Sequence, residues 1–106
     1  LDVKGIMRAE ELIVETGWAD YVFADDYPLQ KLADVEKYIE INKHLPGIPS
    51  ANEIQTNGAQ VSELLTKMMS KIEELTLYSI QQQKEIEKLK ARKTLSFKNI
   101  FSQKNK

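Results

Sequence analysis

Over residues 61–89 apolar side chains recur in alternating steps of four and three. Read as a seven-residue repeat, Leu65, Ile72, Ser79 and Ile86 occupy position a, while Val61, Met68, Leu75, Gln82 and Leu89 occupy d. This spacing keeps one stripe on one side of a helix and is the seam of a coiled coil. Residues 59–93 contain no Gly or Pro, so the pattern predicts an uninterrupted rod of roughly 50 Å at 1.5 Å per residue. A compact domain of this chain length has a radius of gyration near ~13 Å. The rod outreaches any core its own chain can fold around it, and the stripe is expected to meet copies of itself.

The seam carries some detail of that assembly. Burying one aliphatic side chain contributes about 1.5 to 3 kcal/mol, so the apolar layers are its energetic basis. Glu85 falls at g and Lys90 at the following e, the offset at which parallel, in-register strands exchange charge pairs. Ser79 and Gln82 place two polar layers in mid-seam. They read equally as a register device or as a weak stretch carried by strong neighbours. Ile at a with Leu at d, as in Ile72 with Leu75 and Ile86 with Leu89, leans toward two strands, but Leu65 at a with Met68 at d does not. The pattern alone leaves dimer and trimer open.

Ahead of the rod the periodicity changes. Leu1, Val3 and, across Gly5, Met7 alternate with polar residues, and residues 12–14 form a continuous apolar run. Short strands are therefore predicted at about 1–7 and 11–15. A two-stranded sheet is marginal within one chain but gains if several chains contribute strands around an axis. Gly17 then breaks the pattern before Trp18, Tyr21 and Phe23, whose rings are expected in a small core. A helix is predicted over about 31–43, with Leu32, Val35, Tyr38 and Ile39 on one face. At three turns it needs something to lie against. The rod offers Leu77, Tyr78 and Ile80, or Leu64 and Met69.

Pro46 and Pro49 stop that helix, Ser50 with Glu53 forms a capping box for a short helical turn, and Asn57-Gly58 ends it. The fold class is thus mainly α with short N-terminal β: a helix hairpin plus a long parallel coiled coil. The segments are 1–27 extended, 28–58 short helix and Pro/Gly turn, 59–93 coiled coil, and 94–106 a basic tail.

Composition narrows the function. With 42% hydrophobic and 29% charged residues the chain suits a folded soluble protein. No window approaches a membrane span. The absence of cysteine removes disulfides and thiolate chemistry. Because the chain starts at Leu1 and not Met, it is expected to be the end of a longer polypeptide. The net charge of -1 hides an asymmetry: residues 1–40 hold ten acids against Lys4, Arg8, Lys31 and Lys37, whereas residues 88–106 hold seven bases and no acid.

Four ordered stretches carry a resemblance: Gly17-Trp18-Ala19-Asp20-Tyr21-Val22-Phe23, Val35-Glu36-Lys37-Tyr38-Ile39, His44-Leu45-Pro46-Gly47-Ile48-Pro49-Ser50-Ala51, and Lys71-Ile72-Glu73-Glu74-Leu75-Thr76-Leu77-Tyr78. Together they resemble the C-terminal region of tail-fibre-like proteins of the Bacteroides group and their phages, related to endosialidase-type intramolecular chaperones. The likeness covers roughly residues 1 to 90. It implies a homotrimeric end-module at a virion or extracellular surface that brings the upstream fibre region of the same chain into register. It also favours three strands over two. Self-cleaving members of the wider group pair Ser-Asp with a nearby lysine. Here Ala19-Asp20 occupies the place of that pair and no lysine lies between Lys4 and Lys31, so a hydroxyl nucleophile and its base are both missing.

Other candidate sites have plainer readings. His44 is the single histidine and is read as a helix-end residue favourable to exposed carbonyls; no cofactor or metal is expected. Asp25 and Asp26, which with Asp20 offer the carboxylates of a cation site, are read as suited to the approach to a helix N-terminus. The tail's Leu95, Phe97, Ile100 and Phe101 among lysines permit contact with nucleic acid, an anionic membrane or an acidic partner. A solvated or folded-back end is the preferred reading, and no nucleic-acid partner is expected.

Overall fold

The structure, a computed structural model, describes residues 4–15 and 18–104. In chain order it contains an irregular N-terminal segment, a 3-10 turn at Tyr21–Phe23, and helices α1 (Leu32–Asn42), α2 (Ala51–Asn57) and α3 (Val61–Lys104). The molecule measures 84 × 32 × 28 Å with a radius of gyration of 22.4 Å. That is well beyond the ~13 Å of a compact chain of this size, because α3 projects as a rod.

The helix boundaries follow local chemistry. α1 has Asp34 in its first turn, where a carboxylate suits the positive end of the helix dipole. It closes on Lys43 in the left-handed region (φ 61°), whose N–H donates to the Ile39 carbonyl at 2.8 Å. A turn through Pro46 and Gly47 follows, with the Ile48 N–H on the Leu45 carbonyl at 3.2 Å. Gly47 has φ 78°, a conformation that a β-carbon would strain.

α2 opens with the capping box that the sequence predicts. The Ser50 hydroxyl accepts from the Glu53 N–H at 3.2 Å, and the Glu53 carboxylate accepts from the Ser50 N–H at 3.5 Å. Gly58, at φ 71°, ends it by donating to the Ile54 carbonyl. α3 begins two residues later than the spacing predicts and runs past residue 93 to Lys104. The seam fades beyond Leu89, but Ala, Lys and Arg propagate a helix without one.

Three expectations are corrected. The predicted strands are absent: residues 4–7 and 11–15 are irregular and form no strand, while residues 1–3 lie outside the described residues. Ile6, Leu12 and Ile13 are exposed there, so a single chain supplies no second strand or covering layer to hold a sheet.

The aromatic core is absent too. Trp18, Tyr21 and Phe23 are exposed, and the buried residue is Val22, 1% accessible. Successive side chains of a 3-10 turn splay by a third of a revolution, so Val22 turns toward α3 while both neighbours turn out. Finally, this 3-10 turn, not α1, is the element set closest against α3. α1 keeps Val35 and Tyr38 half-buried and leaves Leu32 and Ile39 exposed.

Candidate assembly interface

α3 presents two faces with opposite fates. Along the predicted seam Val61, Leu65, Met68, Ile72, Leu75, Ile86 and Leu89 are all exposed, from 42% at Leu65 to 62% at Leu75. The helix therefore brings every one of these side chains onto one continuous stripe, and the chain covers none of them. Ser79, Gln82, Glu85 and Lys90 are exposed as well, as is every residue from 79 to 100. Within one chain Glu85 pairs with Lys88 at 3.6 Å, both side chains largely in water. Such a pair contributes little and leaves Glu85 able to exchange partners.

The opposite side mixes polar residues with the half-buried Leu64 and Leu77, and this is the side that the chain covers. Ser70, Glu73 and Tyr78, at heptad positions f, b and g, are buried. Both carboxylate oxygens of Glu73 accept the Asp20 backbone N–H at 3.0 Å. This charge-assisted contact anchors the chain just where Asp20 takes a left-handed conformation, φ 70°. Four residues past the 3-10 turn, the Tyr27 hydroxyl donates to the Glu74 carboxylate, whose other oxygen lies 3.2 Å from the Lys71 ammonium. The Tyr78 hydroxyl donates to the Gln30 carbonyl at 2.6 Å. Residues 20–30 are thus fastened along one side of α3 by three polar anchors, with Val22 as the apolar plug.

The two phenols register this setting. Burial, then the hydrogen bond to Glu74 and its charge, push the Tyr27 hydroxyl well above the ordinary phenol range. Burial and the Glu74 charge raise Tyr78 in the same direction. Both therefore stay protonated and act as donors.

The remaining candidates do not converge on chemistry. His44 sits edge-on to Tyr38, centroids 5.5 Å apart, with Nδ1 2.9 Å from the Leu45 carbonyl. Asp20, Asp25 and Asp26 are exposed. Among the described residues no group of three or more His, Cys, Asp or Glu side chains is placed to hold a metal ion.

Sequence reasoning located the stripe but missed the anchors. Their targets are a backbone N–H and a backbone carbonyl, which every chain carries, so no pattern of side chains announces them. The nearest signal is Glu73-Glu74 in a helix facing an acidic N-terminal half, a juxtaposition that is tolerable only if those carboxylates are given donors.

Compared with protein-family models, curated proteins and solved structures, the chain finds no match.

Proposed function

We propose that this chain is the C-terminal trimerisation and folding module of a tail-fibre-like protein, in which three parallel copies of α3 cover one another's stripe. One observation carries the reading: the chain covers the other side of its longest helix and leaves the heptad stripe of apolar residues bare. An amphipathic helix that serves its own core does the reverse. Heptad spacing supports a coiled-coil partner, and self-association supplies a seven-residue repeat of matching pitch without a second gene product. The resemblance to fibre end-modules favours three strands and a virion or extracellular setting. The role is mechanical: register is set at one end and passed to the upstream chain.

Parallel packing also carries the three N-terminal segments, with their exposed Ile6, Leu12 and Ile13, to the same end of the rod.

Register is tested at Ser79. The chain has no cysteine, and in a parallel, in-register bundle the copies of an a residue face each other across the axis. The Ser79→Cys protein should therefore form a disulfide-linked pair of chains under mild oxidation. Cysteine placed instead at Lys84, at position f on the outer side of the helix, should not. Equal cross-linking at both positions, or none at Ser79, would contradict parallel in-register packing.

A further inference from the structure

The seam explains the stripe up to Leu89; beyond it the repeat assigns one large apolar residue, Ile100 at a, and leaves Leu95 and Phe97 off the seam. Continuing the repeat puts Lys93 at a and Ser96 at d. A lysine at a lowers coiled-coil stability, and neither Lys93 nor Ser96 supplies an apolar layer to hold a bundle just beyond Leu89. Residues 93–104 are consequently available whether or not α3 assembles. They are nonetheless ordered as helix, continuous with the rod and standing clear of the rest of the molecule.

Two properties of this end coincide. From residue 88 to the end of the chain there are seven bases and no acid. Among them Leu95, Phe97 and Ile100 are exposed by 61, 65 and 54%. Phe97 and Ile100, three residues apart, share a face and extend the line of Ile86 and Leu89, with Arg92 and Lys98 flanking it. A solvated helix end has no use for three large apolar side chains, and a polyphosphate chain would leave them in water. A boundary between acyl chains and anionic headgroups takes both, because the rings and aliphatics enter while the long lysine stems reach back to the phosphates.

We infer that residues 93–104 form an interfacial helix that binds an anionic lipid surface, lying on it and not crossing it. No helix among the described residues is long and apolar enough to span a membrane. The acidic half of the chain, packed at the other end of the rod, is repelled by the same surface, so charge asymmetry orients the molecule with its C-terminal end toward the lipid.

Co-sedimentation of the full chain with phosphatidylcholine vesicles, with and without phosphatidylserine, tests this. Binding is expected to the phosphatidylserine vesicles alone and to weaken as salt is raised. Each lysine near such a surface is worth about a fivefold change in affinity. Lys93→Gln with Lys98→Gln should then lower partitioning by about twentyfold or more. Leu95→Ser with Ile100→Ser should lower it by about tenfold or more, with all charges kept. All four residues are exposed, so helix content by circular dichroism should be unchanged. Absence of binding to phosphatidylserine vesicles at low salt would overturn the inference, as would equal binding to neutral vesicles. Capture of duplex DNA or polyglutamate with an affinity untouched by Leu95→Ser and Ile100→Ser, without vesicle binding, would also overturn it and assign the tail to a polyanion or an acidic protein.

Discussion

The two sides of α3 differ in who completes them. On one side Ser70, Glu73 and Tyr78 are buried beneath residues 20–30 of the same chain, with hydrogen-bond partners for the carboxylate and both hydroxyls. On the other side Leu65, Ile72 and Leu75 face water. Polar anchoring gives direction and register to a short docked segment but little net energy, since each bond replaces one made to water. Apolar burial gives the energy. On the proposed reading, a chain that applies the first internally and withholds the second draws its stability from association, as in obligate oligomers whose folded protomer has no separate existence.

The contrast can be broken most severely on the bare side. Ile72→Asp combined with Leu75→Asp puts charge into two adjacent layers. It should remove several kcal/mol of association energy, with the molar mass from light scattering falling to that of one chain. Helix content and the docking of residues 20–30 should fall with it, because the helix that carries their anchors is held by association.

The covered side responds differently. Glu73→Ala removes both acceptors from the Asp20 N–H, a charge-assisted bond worth about 1.5 to 3 kcal/mol. Hydrogen exchange at the Asp20 and Phe23 amides should accelerate by roughly tenfold or more. Molar mass and helix content should stay as they were, since the stripe is intact.

Alkaline pH sharpens the same division without mutation. Tyr27 and Tyr78 have raised values in the folded state, so their hydrogen bonds contribute fully below the unfolded phenol pKa of about 10. That contribution is lost as pH climbs through the folded values, and in the intervening window the unfolded form releases protons that the folded form retains. Docking of residues 20–30, followed by hydrogen exchange or tyrosine absorbance, should be level from neutral pH to about 9 and weaken above about 10. Assembly through the aliphatic stripe should lag behind it.

The smallest effect is expected at Asp20→Gly. A non-glycine residue in the left-handed region carries a cost of about 1 kcal/mol, less for Asp than for most. Relief of that cost is opposed by glycine's greater freedom in the unfolded chain. Thermal unfolding should therefore move by no more than a few degrees, without altering the molar mass.

How legible this arrangement is in the sequence depends on whether an interaction is local. Ser50, Glu53 and Gly58 act within a few residues of one another, and the boundaries of α2 can be read from them directly. The seam of α3 is a periodicity, so it is legible for the same reason. Strand formation near Leu12 and Ile13 requires a second strand, which no local signal supplies. The burial of Val22 in place of Trp18, Tyr21 and Phe23 turns on a single 3-10 turn, whose rotation decides which side chain points inward. The anchors at Glu73, Glu74 and Tyr78 join residues about fifty positions apart, and two of them address the main chain. The continuation of α3 through its basic end was hidden because the apolar repeat stops before the helix does.

The central claim, that identical chains cover the stripe, is tested most directly by the molar mass of the unmodified protein followed through serial dilution. One chain is 12.2 kDa. Light scattering should return three times that mass while the helical signal is high, and the two should decline together as dilution separates the chains. A fully helical particle of a single chain mass at every concentration would contradict the account.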